Sequence, residues 1–298
     1  MHGPMPWEGS TMFDRRNLLM TGAASAALAL LPVSVLTGAA RAAVASKSTP
    51  AEAAAGKALN ALFDSFVQEG LDHAPEGVTS LGLDKGKRAH QKSELSEASL
   101  AEIARRKAEE ADQYKRLTAF DRATLGGHDK IDYDVVLFGL KNAVEADKAF
   151  DYGPGGAGAP YVLSQLTGAY QQLPDFLDSQ HGIETKDDAE AYLSRLSAFG
   201  RVMDQEDDVV RHDAGLGTVP PDFILSRALD QMTKLRATAA GKSVLVESVV
   251  RRTKDKKIAG DWGKEAEKIV TDKVYPALDR QIALIGDLQK HATHDAGV

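Results

Sequence analysis

From Lys57 onward, apolar residues recur three and four positions apart along most of the chain. That spacing restricts the fold to packed amphipathic helices. Leu59, Leu62, Phe63, Phe66, Val67 and Leu71 share one helix face. Tyr133, Val136, Leu137, Leu140 and Val144 form a second stripe, and Ala189, Tyr192, Leu193, Leu196, Phe199 and Met203 a third. Leu225, Ala228, Leu229, Met232 and Leu235 make a fourth. A strand would alternate with period two, and only Ser243–Val250 offers a convincing β-branched run. A short helix fits that run nearly as well. The predicted fold class is all-α, a multi-helix assembly without an internal repeat.

Helix starts and stops can be placed by their chemistry. Pro75 and the glycines at 77, 82 and 86 mark a loop, and the glycine-rich run Asp151–Pro160 marks another. Residues 94–118 are heavily charged, with an apolar stripe of Leu100, Ile103, Tyr114 and Leu117, which predicts a helix lying on the surface. Thr185-Lys186-Asp187-Asp188 is a capping-box-like start with Asp in place of Glu or Gln. Pro220-Pro221-Asp222 suits a first turn, where proline leaves no N–H unpaired. The last long helix is expected from about Gly263 to His291, with a kink or break near Tyr275 imposed by Pro276. The basic run Arg251–Lys257 is expected to be a solvated loop between helices.

The first 42 residues read as a removable export signal. Arg15 and Arg16, followed by Asn17 and the apolar pair Leu18-Leu19, match the twin-arginine pattern, although Asp14 stands where Ser or Thr is common. An uncharged stretch follows from Asn17 to Ala40, and Ala40-Arg41-Ala42 and Ala43-Val44-Ala45 both fit the small-x-small cleavage rule. The stretch is just long enough to span a bilayer, but its Ala, Gly and Pro32 make it weakly hydrophobic. Export through the twin-arginine machinery to the periplasm or beyond, with no stable membrane anchor, is therefore expected. Residues 43–56 are assigned to a flexible linker and residues 57–298 to a helical domain.

Composition excludes several functions. The absence of cysteine rules out disulfides, thiolate zinc sites, a cysteine nucleophile and a lipid-anchoring cysteine. The formal net charge is −7; residues 1–42 carry a net +1, leaving −8 on the remainder. Such a surface repels phosphate backbones, so nucleic acid is not an expected partner.

No complete catalytic motif is present. Gly241-Lys242-Ser243 resembles the end of a phosphate-binding loop, but Arg236 stands where that loop needs its first glycine. There is no Gly-x-Ser-x-Gly elbow. Asp204, Glu206, Asp207 and Asp208 cluster without calcium-loop spacing and are expected to be a solvated helix end. His291 and His294 could share a helix face, but two histidines without a third ligand or an adjacent glutamate do not specify zinc. His181 and His212 are expected to be structural or exposed. No catalytic, cofactor-binding or metal-ligating residue is assigned.

Several stretches together resemble a bacterial family designated domain of unknown function 885. They are Ala74–Gly82 (APEGVTSLG), Tyr161–Leu177 (YVLSQLTGAYQQLPDFL), Asp187–Leu196 (DDAEAYLSRL), Val219–Phe223 (VPPDF) and Val274–Leu278 (VYPAL). The resemblance spans Lys57 to Val298. It implies a mostly helical, exported protein whose relatives are about twice as long and carry H-E-x-x-P-G-H in their C-terminal half, as zinc metallopeptidases do. It further implies that this chain is the N-terminal half of such a fold, covering a cleft for a peptide-like substrate, with zinc belonging to the missing half. No position here matches the zinc motif. The competing expectation is a stand-alone, non-catalytic periplasmic helical binding module.

Overall fold

A computed structural model describes residues 48–154 and 160–295. The expected export signal with Arg15 and Arg16, residues 43–47, and part of the glycine-rich run lie outside the described residues. Among the described residues there are ten α-helices and no strand. They are α1 (Pro50–Asp72), α2 (Pro75–Ser80), α3 (Leu100–Thr118), α4 (Gly127–Ala149), α5 (Ala169–Asp175), α6 (Lys186–Gly215), α7 (Asp222–Ala237), α8 (Val244–Asp255), α9 (Trp262–Ile269) and α10 (Tyr275–Gln289). A 3₁₀ segment spans Gly86–Ser93, and π turns occupy Phe176–Gln180 and Val270–Val274. No described helix is long and apolar enough to cross a membrane.

The helix ends follow capping chemistry. Thr49 Oγ1 accepts the Glu52 N–H at 3.2 Å, and the Glu52 carboxylate accepts the Thr49 N–H at 2.8 Å. With Pro50 at the first helical position, this reciprocal cap starts α1 inside the segment expected to be a linker. The part of 43–56 from Pro50 onward is therefore helix. At Thr185 the expected capping box forms, with Asp188 Oδ2 accepting the Thr185 N–H at 2.8 Å.

Burial at helical period settles the Ser243–Val250 run, left open above between strand and short helix, as helix. In the Ser243–Val250 run, Leu245, Val246 and Val249 are buried, and Thr253 continues their face, so the segment is α8. That helix also absorbs the basic run as far as Asp255, which is thus mostly helical rather than loop. On α3, Ile103 and Leu117 are buried as expected, but Leu100 is exposed. Gln113 is buried instead, because its amide reaches Glu69 of α1 at 3.0 Å.

Pro276 sits at the start of α10, directly after the Val270–Val274 π turn. Proline cannot donate to the carbonyl four residues back, and its ring pushes that carbonyl aside. The widened turn absorbs the displacement, so the break falls just before Tyr275. Here the chain also passes very close to α6. A Cβ on Gly200 would lie 2.7 Å from the Lys273 carbonyl oxygen, so only glycine permits the crossing.

The helices enclose two apolar cores. The smaller joins Leu59, Phe63 and Phe66 of α1, Leu117 of α3, Leu125, and Tyr133, Val136 and Leu140 of α4. In the larger, α5 and α7–α10 pack around α6, whose Tyr192, Leu196, Phe199 and Met203 are fully buried. α2 and the 3₁₀ segment lie between them, fastened to α6 by the polar contacts described next.

Candidate functional site

The chemistry-bearing side chains of α6 lie inside the molecule. Arg195 is fully buried, beside a run of backbone that has finished its own helical bonds. Its Nε donates to the Glu94 carbonyl at 2.8 Å, and Nη2 donates to Thr79 Oγ1 at 2.7 Å and the Gln91 carbonyl at 2.9 Å. The guanidinium lies 4.9 Å from the centre of the Phe176 ring. No carboxylate among the described residues pairs with it, and burial lowers its pKa to about 10, which leaves it charged at neutral pH.

Arg195 Nη1 lies 2.8 Å from His181 Nδ1. A guanidinium can only donate, so Nδ1 must be the acceptor and the imidazole proton must sit on Nε2. From there it is directed at the Asp188 carbonyl, 2.9 Å away. Burial, reinforced by Arg195, Arg252 and Lys92, lowers the His181 pKa to about 4. Burial works against the charge on Asp188, but the Lys92 ammonium and the N–H groups of Glu184 and Thr185 outweigh it and hold that carboxyl at about 2. This cluster is a clamp: it ties α2 and the 3₁₀ segment to α6.

The second polar centre corrects the reading of the acidic run. Asp204 is half-buried and pairs with Arg280 at 2.7 Å, and Asp208 is exposed and pairs with Arg211 at 3.0 Å. Glu206 and Asp207 are instead buried in the middle of α6. Glu206 falls at the helical spacing of Phe199, Met203 and Val210, so the period overrides its charge. Its Oε1 accepts the Ala169 N–H at 2.7 Å, the first amide of α5. Burial raises Glu206 to about 8 and Asp207 to about 6.

The Tyr161–Leu177 stretch forms a turn that feeds α5. Ser164 Oγ accepts the N–H groups of Leu166 and Thr167 at 3.1 and 3.2 Å, and the Tyr170 hydroxyl donates to the Ser164 carbonyl at 2.7 Å. Gly168 closes the turn at φ 103°, where a Cβ would sit 2.4 Å from Leu163 Cδ2.

The other candidates are dispersed. Gly241 and Lys242 lie in a 3₁₀ turn, Ala240–Lys242, that Ser243 closes, rather than in a phosphate cradle, and a Cβ on Gly241 would meet the Glu267 carboxylate at 2.8 Å. An anion would be repelled there. His294 pairs with Asp222 at 2.9 Å and packs on Phe223, whereas His291 is exposed. His212 contacts Asp213 at 3.1 Å, and Asp213 accepts the Gly153 N–H at 2.9 Å. Between α3 and α4, burial and the neighbouring Asp147 raise Glu110 to about 7. Among the described residues, no three His, Cys, Asp or Glu come together as metal ligands.

The sequence reading missed Arg195 as the centre of the clamp and Glu206 as a core residue. Only for Glu206 did the helical spacing carry a usable signal.

The fold has a solved counterpart. The crystal structure of the putative lipoprotein from Colwellia psychrerythraea matches with a TM-score of 0.72 at 18% identity, covering 82% of this chain and 43% of that one. The chain thus spans less than half the length of the solved chain it matches. No protein of curated function matches it. The model of the bacterial proteins of unknown function known as DUF885 matches residues 75–297, most of the chain and both of its buried polar centres, and the chain belongs to that family.

Proposed function

We infer that this chain is the exported, N-terminal half of a hydrolase-like protein, a helical scaffold inactive alone that a second half completes. The observation that carries this reading is the unequal coverage: 82% of this chain accounts for only 43% of the matched one. More than half of that chain has no counterpart here. The buried polar centres fit a scaffold, because they fasten helices rather than offer a nucleophile or a general base. Zinc would belong to the second half, since the described residues bring no three ligands together and do not fit such a site. On this reading the substrate is peptide-like, and the twin-arginine machinery engages Arg15 and Arg16.

The deciding experiment is to read the gene in every frame beyond codon 298. A downstream sequence bearing H-E-x-x-H is expected, and co-producing it should yield a soluble complex that retains zinc. A clean stop with no such sequence would overturn the reading and leave a non-catalytic helical module. Replacing Arg15 and Arg16 together by lysine should retain the precursor in the cytoplasm, and undiminished export would refute the pathway.

A further inference from the structure

Where α5, α6 and α10 meet, the buried hydrogen bonds do not balance. Glu206, Asp207 and Gln281 are all more than nine-tenths buried. Glu206 Oε1 is satisfied by the Ala169 N–H. Its Oε2 has only the Gln281 amide nitrogen, at 3.5 Å, and that nitrogen lies equally far from the Met203 carbonyl. Gln281 Oε1 and Asp207 Oδ1 have no hydrogen-bond partner among the described residues. Buried acceptors therefore outnumber donors, and each unsatisfied one opposes folding.

One proton and one amide rotation settle the account. A half-turn of the Gln281 amide exchanges its oxygen and nitrogen in place. The oxygen then faces Glu206 Oε2 and can accept a proton from it, while the nitrogen turns towards Asp207, which already feels this amide. We propose that Glu206 carries a proton in the folded protein at neutral pH, and that Glu206, Gln281 and Asp207 form one hydrogen-bonded relay latching α5 and α10 onto α6.

The surroundings keep the proton in place. The phenol of Tyr170 on α5 is directed at the Ser164 carbonyl, 2.7 Å away. Arg280 on α10 is engaged by Asp204, and Arg211 on α6 by Asp208 and only distantly, at 4.0 Å, by Asp207. Among the described residues no cation pairs with Glu206, and its acidic neighbour Asp207 opposes ionisation. Burial holds the Glu206 pKa at about 8, against 4.5 for an ordinary glutamate. The latch is accordingly complete at acidic pH and is lost as pH rises through about 8. Only the Gln281 end opens: the Ala169 N–H goes on donating to Glu206 Oε1, a bond that favours the carboxylate.

The test is urea unfolding of the mature chain from about pH 5 to about pH 9, for the wild type and Glu206→Gln. The glutamine amide reproduces the neutral acid, accepting from Ala169 and donating to Gln281. The wild-type unfolding constant should rise with pH by up to about tenfold per unit, and Glu206→Gln should lose that part of the slope. An unchanged slope overturns the proposal, as does failure of the variant to fold, because an isostere of the neutral acid should be tolerated. Infrared spectra of wild-type protein carrying isotope-labelled glutamate give an independent reading. A protonated-carboxyl component at neutral pH that disappears in Glu206→Gln, beside the one Glu110 contributes to both proteins, is expected; identical bands in the two proteins refute the latch.

Discussion

α4 and α6 face opposite packing problems. α6 is enclosed: it buries Tyr192, Leu196, Phe199 and Met203, and also Arg195, Glu206 and Asp207. α4 lines the smaller core with Tyr133, Val136, Leu140 and Val144 but leaves Ile131, Val135 and Phe138 exposed on another face, with Phe138 at 69%. Inside the larger core each ionisable group is neutralised or surrounded by donors and acceptors, since an uncompensated buried charge is prohibitive. At the smaller core, charge is easily kept in water, as the exposed Arg122–Asp134 pair shows, and the apolar surface is what lacks cover. An enclosed helix must solve its polar problem internally; an edge helix can leave an apolar one for another surface to solve.

The sharpest way to break this comparison is Arg195→Met. It keeps much of the side-chain bulk but strips Glu94, Gln91, Thr79 and His181 of their shared donor. Leaving those groups buried and unpaired should destabilise the protein by about 3–5 kcal/mol. The midpoint in urea gives the measurement. A loss below about 1 kcal/mol would mean that water or another side chain replaces the guanidinium, and that the clamp does not join the cores.

Leu59→Ala comes next and asks whether the cores melt together. Leu59 is fully buried in the smaller core, so truncation should cost about 2–4 kcal/mol. Trp262 lies in the larger core and is the one tryptophan of a chain made without residues 1–42, so its fluorescence there reports that core alone. If the clamp makes the two cores one cooperative unit, fluorescence and far-ultraviolet circular dichroism shift together. Separate transitions would show two units joined only loosely.

The clamp also makes the larger core sensitive to acid. His181 has its pKa lowered to about 4 from 6.5, so the unfolded chain takes up the proton first. Its contribution is intact above about pH 6.5 and is lost as pH falls towards 4, by at most about 3 kcal/mol. Glu206 acts in the opposite direction as pH rises, so stability should peak between the two. Nuclear magnetic resonance titration of the imidazole checks this directly, and a His181 that titrates near 6.5 would contradict the deduced tautomer and its burial.

How far the sequence revealed this arrangement depended on whether the signal was local. The stripes of α1, α4, α6 and α7 and the Thr185 cap were legible because three- and four-residue spacing and capping are encoded within one or two turns. The start of α1 is equally local, but the alanine-rich residues around it resemble a linker in composition. Glu206 was misplaced because charge was given more weight than its position on the 199–203–206–210 spacing. Arg195 offered no comparable signal. Its acceptors are carbonyls about a hundred residues upstream, and any residue can supply a carbonyl.

The smallest expected effect on stability belongs to Phe138→Lys on the exposed face of α4. A side chain 69% exposed makes few contacts, and lysine is a good helix former, so unfolding should change by no more than about 0.5 kcal/mol. Association should respond far more strongly. Ile131, Val135 and Phe138 lie at i, i+4 and i+7, one continuous apolar strip on a helix whose opposite side is already packed. If that strip is uncovered in the isolated chain, the substitution should lower concentration-dependent self-association, measured by sedimentation velocity, while leaving the urea midpoint in place. A large loss of stability would show that Phe138 is packed in solution. Unchanged association would show that the strip is not the adhesive surface, and the contrast between the enclosed and the edge helix would then rest on α6 alone.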